Sequence, residues 1–305
     1  MKLKERIKYL VRATAIIISP KFAQKLIYRV KFKRKLNLKN PQTLNEKNLW
    51  LMNNTYKNNS LVKQCADKYG ARKYLEKLGL GEILVPVYGI FDSPDEINWS
   101  ELPNSFVIKV SSGCGYNIIV KEKQSFNFTD VKKRLKRMIS KSKYIYLDHG
   151  EMQYKGVKPK IIIEKLLTEG DLCLPIDYKI FCMNGNVVAT EVCIERDING
   201  KNARFFFMSP DWKLLKYTKD SLNVSNDFVV PKPKNLESLY KYARAISKAF
   251  PFVRVDLYLI DGKCYFGEMT FTPSGAFNTT YNVIVPDTNG LTADYLLGQS
   301  LNIYN

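Results

Sequence analysis

Histidine is almost absent from this 305-residue chain, and the cysteines are not arranged for metal or disulfide chemistry. A zinc site or a Ser-His-Asp triad would have to rest on His149 alone, and a single histidine is more often structural. The six cysteines include no C-x-x-C pair, and no secretory pattern with a small-residue cleavage site is found. We therefore expect reduced thiols in a cytoplasmic protein.

Acidic residues and long apolar runs are scarce as well. The 29 acids are outnumbered by 48 lysines and arginines, and the net charge of +19 is unevenly distributed. Residues 1–40 hold thirteen of the basic residues and one acid, Glu5, a net charge of +12 that leaves +7 for the rest of the chain. The apolar run at residues 13–18 has only six residues, which is far too few to span a bilayer.

This basic segment has apolar residues at helical spacing on both sides of Pro20, namely Leu3, Ile7, Leu10, Val11 and Thr14 before it and Phe22, Leu26, Ile27 and Val30 after it. The pattern predicts basic amphipathic helices, which suit the anionic inner leaflet of a membrane. A helix packed on the protein with a solvated basic face would show the same pattern. Nucleic-acid binding is disfavoured because no basic-aromatic module of RNA-binding type follows.

The chain as a whole, with 45% hydrophobic and 12% aromatic residues, can form a substantial core in one composite unit or two to three subdomains. Thr43 and Glu46 form a capping-box pattern that opens a helix. Periodicity and turn residues predict further elements: a helix at 60–78, a strand at 83–87, a basic helix at 129–143, a strand at 159–167, a hairpin around Asn184-Gly185 and a helix at 236–250.

A predicted strand at residues 106–110 contains Lys109 and is followed by a loop of small residues, Ser111, Ser112, Gly113, Cys114 and Gly115. Backbone N–H groups of such a loop can lie against a phosphate because no side chain blocks the approach. A glycine turn in an ordinary hairpin would look the same. The loop lacks G-K-[ST] and no helix follows it directly, so it is neither a P-loop nor a Rossmann fingerprint.

Residues 253–275 predict a hairpin that turns at Asp261-Gly262. With that turn, Asp256 and Glu268 pair within about one residue of register, so both carboxylates could approach one cation. Magnesium suits such a site, because it takes one or two carboxylates and completes its shell with water and nucleotide phosphates. Two solvated acids on an exposed strand face are the alternative interpretation.

The sequence Tyr-Phe-Gly-Glu-x-Thr-x-x-Pro-x-Gly at residues 265–275 resembles the metal-binding end of ATP-grasp enzymes, in particular the branch typified by the teichuronopeptide biosynthesis protein. The resemblance extends from about Leu44 to Leu301. It implies an α+β ATP-grasp fold, with two α+β subdomains that grip ATP. The chain would then divide into an amphipathic arm (1–40), a mixed pre-domain (41–103), a lid subdomain (104–167) and a C-terminal subdomain with the metal site (168–305).

The resemblance also implies roles for single residues. The nucleotide would be bound by Lys109, Ser111, Ser112, Gly113, Gly115, Glu164, Lys165, Leu167 and Asp171, and the metal by Asp256, Glu268 and Thr270. Lys179 of a D-Y-K motif would reach the phosphates, and the catalytic set would be Lys179, Arg254, Arg196 and Arg204. Arg196 and Arg204 could hold a substrate carboxylate or phosphate, or be solvated surface charges. Thr270 stands where most ATP-grasp enzymes have asparagine.

The chemistry implied by the resemblance is ATP- and Mg²⁺-dependent ligation of a carboxylate to an amine through an acylphosphate. In this branch the carboxylate is expected to be a uronic acid of a bacterial capsule or wall glycan, and the amine an amino acid. The basic arm would bring the enzyme to the inner face of the membrane as a peripheral protein. The alternatives are a kinase of the same fold, a non-catalytic polymer- or membrane-binding protein, and a glycosyltransferase, although the chain has no D-x-D.

Overall fold

The computed structural model describes residues 3–168, 174–195, 203–225 and 227–304. The chain forms two compact units, one made of Met1–Pro20 and Tyr56–Leu167 and the other of Lys21–Thr55 and Thr168–Asn305. The change of unit at residues 167–168 coincides with the expected end of the lid subdomain. The arm and the pre-domain are each divided between the two units. The expected division of the chain into four segments stays a prediction.

Helices and strands alternate irregularly along the chain. The helices are α1 (Leu3–Ile18), α2 (Pro20–Phe32), α3 (Leu44–Asn54), α4 (Ser60–Ala66), α5 (Lys68–Lys77), α6 (Phe128–Ser142), α7 (Tyr146–His149), α8 (Lys219–Leu222), α9 (Leu236–Ser247) and α10 (Ala293–Gln299). The strands are β1 (Val87–Phe91), β2 (Phe106–Val110), β3 (Asn117–Val120), β4 (Ile161–Glu164), β5 (Asp177–Met183), β6 (Asn186–Ile194), β7 (Arg204–Met208), β8 (Leu214–Leu215), β9 (Phe252–Ile260) and β10 (Lys263–Thr270).

The first unit is organised by a four-stranded antiparallel sheet in the order β1-β4-β2-β3. All four residues of β4 are buried, as expected for a central apolar strand. Helix α6 contributes Val131, Leu135 and Met138 to the core of this unit, and its other face is basic. The amphipathic pattern predicted for residues 129–143 is therefore confirmed.

The second unit contains a six-stranded antiparallel sheet in the order β10-β9-β5-β6-β7-β8. Helix α9 packs against one face of this sheet, where the Thr190 hydroxyl lies 3.1 Å from that of Tyr240 and the Cys182 thiol faces the Ala243 carbonyl. Side chains of successive strand residues point to opposite faces. The neighbours of Thr190 and Cys182 in sequence therefore occupy the face away from α9.

Two predicted elements are wrong in detail. The helix predicted at 60–78 is broken at Asp67, because the Asp67 carboxylate accepts hydrogen bonds from the N–H groups of Tyr69 and Gly70 and starts a new helix, α5. The strand predicted at 83–87 lies further along the chain, at β1, because residues 81–83 form a 3₁₀ turn closed by the Leu84 N–H. The capping box at Thr43 and the hairpin turn at Asn184-Gly185 are confirmed.

The two N-terminal helices are confirmed as well, with α1 ending before Pro20 and α2 beginning there. Within the described ranges, no helix is both long enough and apolar enough to cross a membrane.

Candidate functional site

The β9–β10 hairpin turns at Asp261 and Gly262, which both have positive φ angles, 49° and 76°. Pairing is regular from this turn to Phe266, and Gly267 is then an extra residue in β10. This β-bulge sets Glu268 opposite Asp256 instead of Val255. Residues directly opposite on paired strands share a face of the sheet, so the bulge brings the two acids together. The predicted pairing within one residue of register is confirmed.

Glycine at the bulge is favoured by the close approach of β9. A Cβ atom at residue 267 would lie 3.0 Å from the Asp256 carbonyl oxygen and 3.1 Å from the Tyr258 ring. Those distances are shorter than ordinary carbon contacts, so a side chain would push the strands apart. The glycine of the Gly-Glu-x-Thr sequence therefore determines the position of Glu268.

Charged residues from four neighbouring strands form a row across the sheet of the second unit. Lys179 of β5 is the partner of Asp256 on one side and of Glu191 on the other, and Glu268 extends the row beyond Asp256. Lys179 follows Tyr178, and Glu191 follows Thr190, which contacts α9. The row therefore lies on the face of the sheet away from α9. We call these four residues the charged row.

Asp256 is the most heavily bonded member of the charged row. Its Oδ1 accepts a hydrogen bond from Arg254 Nε at 2.7 Å, and its Oδ2 accepts from Arg254 Nη2 at 2.7 Å and from Lys179 Nζ at 3.0 Å. Lys179 Nζ also donates to Asp177 Oδ2 at 2.5 Å. Asp256 is 2% exposed. A carboxylate as deeply buried as Asp256 keeps its charge where opposite charges and hydrogen bonds surround it. Arg254 and Lys179 supply both to Asp256.

Burial acts against the charged form of Lys179, but Asp256 and Asp177 outweigh it and hold the Lys179 pKa above its usual range. Burial also raises the pKa of Glu191 to about 7, against the opposing effects of Arg254 and Lys179. Glu191 therefore titrates nearer to neutrality than an ordinary carboxyl group, because burial raises its pKa, whereas Lys179 stays protonated. A carboxyl group with a pKa near the working pH can accept or release a proton during a reaction.

The oxygen donors at the hairpin fit magnesium in chemical type. Asp256 and Glu268 supply two carboxylates, and Mg²⁺ commonly takes one or two of these together with phosphate and water oxygens. The Thr270 hydroxyl lies 3.3 Å from Glu268 Oε1, to which it donates a hydrogen bond. Among the described residues no group of three His, Cys, Asp or Glu side chains could hold a metal by itself. A cation here would therefore complete its shell with phosphate and water.

A cavity of about 490 Å³ opens beside the charged row within the second unit. Its lining includes five charged residues, Lys179, Glu191, Lys219, Asp220 and Arg254. The remaining wall is rich in hydroxyl and amide side chains, which belong to Thr218, Ser274, Asn278, Thr279, Thr280 and Tyr281. Such a wall suits a small ligand with several hydroxyl or charged groups.

In the first unit, Lys109 and Glu164 lie on adjacent strands and form an ion pair, with 2.5 Å between Lys109 Nζ and Glu164 Oε2. Arg72 of α5 reaches the other oxygen of Glu164, with Nη1 3.5 Å from Oε1. The two residues that the family resemblance assigns to phosphate and to the adenine hinge are thus in direct contact. Their contacts with a nucleotide stay a prediction.

The loop at residues 111–115 is anchored at its first residue. The Ser111 hydroxyl donates to Asp67 Oδ2 at 2.5 Å and accepts from the Lys160 N–H, while the Ser111 carbonyl accepts from the Lys68 N–H. Lys68 Nζ also donates to the Gly113 carbonyl at 2.7 Å. Ser111 is fully buried. It holds the base of the loop, and direct contact of Ser111 with a ligand stays a prediction.

Gly113 and Gly115 both have positive φ angles, 94° and 75°. A Cβ atom at Gly113 would also lie 2.7 Å from Ile145 Cδ1. The neighbouring Ser112 is buried and Cys114 is exposed. Residues other than glycine would therefore strain the loop at these two positions.

The remaining predicted residues are more scattered. Lys165 has an exposed side chain and donates its backbone N–H to the Pro86 carbonyl, and Leu167 is half-buried. Arg204 pairs with Glu195 at 3.1 Å and lies over the Phe206 ring. Its role toward substrate stays a prediction. Asp171 and Arg196 lie outside the described residues.

Sequence reasoning missed several residues that the structure brings to these sites. Glu191 belongs to the charged row, and Asp177 and Tyr281 lie beside it. In the first unit, Asp67 contacts Ser111 and Arg72 contacts Glu164. One signal in the sequence could have identified Glu191, because it is a single acid within the apolar strand pattern from Val187 to Ile194. The others are recognised only through contacts distant in sequence.

The fold and these residues define an α+β protein with a buried acidic and basic site on an antiparallel sheet. Residues 46–293 match the family described as TupA-like ATP-grasp, and the chain belongs to that family. No curated protein matches.

Several solved structures also resemble this chain, at low sequence identity. An L-amino acid ligase from Bacillus licheniformis is 15% identical with a TM-score of 0.47, over 80% of this chain and 51% of that one. A D-alanine–D-alanine ligase from Bacillus anthracis complexed with ATP is 16% identical with a TM-score of 0.43, over 79% and 66%. This chain thus spans about half to two thirds of the length of these two structures.

Proposed function

We propose that this protein is an ATP- and Mg²⁺-dependent ligase that joins a carboxylate to an amine through an acylphosphate. The observation that carries the proposal is that Asp256 and Glu268, two carboxylates of a type suited to Mg²⁺, lie next to the buried Lys179 and Arg254. Membership of the ATP-grasp family supports the use of ATP. Phosphoryl transfer depends mainly on positioning and charge stabilisation, which is what this arrangement supplies.

Each residue of the site has a role that its environment suits. Lys179 and Arg254 would offset the negative charge of a phosphoryl group and of the carboxylate that attacks it. Both keep their charge because Asp256 lies against them. Mg²⁺ held by Asp256 and Glu268 would supply further positive charge beside the phosphate oxygens.

The amine step needs a proton acceptor, because an ammonium nitrogen has no lone pair with which to attack. Glu191 lines the cavity and has a pKa near neutrality, so its carboxylate can take a proton from the ammonium group. The amine nitrogen then forms the bond to the acyl carbon as the carbon–oxygen bond to phosphate breaks. The second proton of the nitrogen leaves with the phosphate.

For the substrates we propose a uronic acid or other sugar carboxylate of a bacterial surface polysaccharide, and an amino acid or related amine. The hydroxyl and amide side chains of the cavity support a ligand with many hydroxyl groups. A polymer or lipid-linked substrate of this kind would be used at the inner face of the membrane, where we place the enzyme.

The test is ADP formation from Mg-ATP in the presence of glucuronic or galacturonic acid and hydroxylamine, with product masses measured. A ligase that makes an acylphosphate will release ADP and phosphate and form a uronic hydroxamate. A phosphorylated sugar without released phosphate would instead identify a kinase. Absence of any ATP binding by calorimetry would overturn the proposal, because all of its chemistry begins with ATP.

A further inference from the structure

Helix α1 exposes a continuous apolar stripe. Five of its large apolar side chains are between 53% and 79% exposed: Ile7, Leu10, Val11, Ile17 and Ile18. Their spacing of three, four or seven residues places them on one side of a helix. We call these five residues the α1 stripe.

The opposite side of α1 is already packed within the first unit. Ala13 and Ile16 are buried, and Arg12 Nη2 lies 2.9 Å from Asp148 Oδ1 at α7. The helix is therefore fixed to its own unit by one face. The α1 stripe is a second apolar face of this helix, separate from the face that packs within the first unit.

Helix α2 has the same two-sided arrangement. Tyr28 and Phe32 are buried in a cluster with Leu49, Met52, Ala276 and Phe277. Phe22, Leu26 and Val30, at intervals of four residues, are 49% to 68% exposed. We call these three residues the α2 stripe.

Basic side chains run alongside the α2 stripe. Lys25 and Arg29 are four residues apart on α2 and are both exposed. A line of apolar side chains next to a line of basic ones is the pattern of helices that lie in the interface of an anionic bilayer. Each Lys or Arg near such a surface contributes about 1 kcal/mol in general.

The charge of residues 1–40 also distinguishes between a second copy of the chain and a lipid surface as the partner that covers the exposed faces of α1 and α2. Residues 1–40 have a net charge of +12. Two copies of the chain meeting through these helices would bring like charges together, which opposes association. An anionic lipid surface satisfies both the apolar stripes and the charge, and burial of several contiguous apolar side chains is favourable there.

We propose that the α1 stripe and the α2 stripe each bind anionic phospholipid, with the axis of each helix parallel to the bilayer plane. The inference goes beyond the ligase chemistry and does not depend on it, since none of these residues belongs to the charged row or its cavity. A protein that binds lipid but has no activity, or the reverse, would separate the two proposals.

The experiment is flotation of the full-length protein with vesicles of phosphatidylglycerol and phosphatidylcholine in equal parts, and with vesicles of phosphatidylcholine alone. We expect binding to the mixed vesicles only, and weaker binding as salt rises, because screening acts over about 8 Å at physiological ionic strength. Replacing Leu10, Val11, Ile18, Leu26 and Val30 by glutamine should weaken binding at least about tenfold, since it removes most of the buried apolar area.

Two matched variants complete the design. Glutamine at Leu222, Val229 and Ile284, which are exposed apolar residues outside the arm, should leave vesicle binding unchanged. Glutamine at Lys25 and Arg29 should weaken binding at low salt and reduce its salt dependence. Melting temperatures check that every variant is folded.

Equal binding to both kinds of vesicle would overturn the proposal, as would a stripe variant that floats as well as the unchanged protein. A dimer that forms without lipid and is lost in the stripe variant would also overturn it, because the stripes would then be a contact between two copies.

Discussion

Asp67 and Ser111 are 44 positions apart in the sequence, and their side chains share a hydrogen bond of 2.5 Å. The same carboxylate accepts from the backbone N–H groups at the start of α5 through its other oxygen. One side chain thus breaks a helix that the periodicity predicts to be continuous and fixes the base of the glycine loop.

Replacing Asp67 by alanine should lower the free energy of unfolding by about 1–3 kcal/mol, because buried partners lose their acceptor. Urea unfolding measures the change. Asp92→Ala is a suitable control, since Asp92 is exposed and pairs with Lys160 at the surface. Equal stability of the two variants would show that Asp67 does not support the loop.

Glu268→Gln tests the magnesium assignment. The substitution removes one negative charge from the candidate cation site, and we expect the affinity for Mg-ATP to fall at least about tenfold. The melting temperature without ligand should change little, because the Glu268 side chain is 31% exposed and lies at the end of the charged row. Calorimetric titration with and without Mg²⁺ measures the effect, with Glu82→Gln as a surface control. Unchanged Mg-ATP affinity would refute the assignment.

Lys179→Met tests the electrostatics at the centre of the charged row. The substitution leaves Asp177 and Asp256 without their shared lysine, and loss of one partner of a buried charge pair generally costs about 3–5 kcal/mol. Asp177→Asn in the same chain should recover part of the loss, because one of the two carboxylates that lose Lys179 is then neutral. Urea unfolding of the three proteins is the measurement, and a fully stable Lys179→Met protein would contradict this account.

Glu191 predicts a pH dependence of stability. Burial raises its pKa from 4.5 to about 7, so the folded protein holds a proton that the unfolded chain has lost between these values. The contribution of Glu191 to stability is complete below pH 4.5 and is lost as the pH rises through about 7.

At pH 8 the Glu191→Gln protein should therefore be more stable than the unchanged protein, by up to ~3 kcal/mol for a shift of this size. At pH 4 this pH-dependent difference should disappear. Thermal unfolding across this pH range measures the effect. A difference that does not change with pH would mean that Glu191 stays ionised in the folded protein.

Much of the fold could be predicted from local signals, because turns and caps depend on nearby residues. The turns at Asn184-Gly185 and Asp261-Gly262 use residues that tolerate positive φ, and the capping box of α3 uses a side chain three residues away. Lys179, Asp256 and Glu268 of the candidate site were found through a sequence motif. The bulge that aligns the last two could have been inferred, since a glycine inside a strand often marks one.

The rest of the site depends on contacts that spacing does not reveal. The carboxylate of Asp67, where the helix breaks, also accepts from the Ser111 hydroxyl, which is distant in sequence, while the local periodicity continues through Asp67. Glu191 receives its shifted pKa from burial and from charges on β5 and β9. Such effects arise only when the strands pair, so composition and periodicity cannot predict them.

The second unit combines segments from opposite ends of the chain. Asn45 of α3 exchanges hydrogen bonds with the backbone of Asn278, and Lys47 donates to the carbonyls of Gly298 and Leu301. During synthesis, α3 leaves the ribosome long before these partners exist. These contacts of α3 cannot form until the C-terminal segment has been made, so we expect the second unit to complete its folding after translation. A fragment that begins at residue 168 should misfold, because it lacks α2 and α3.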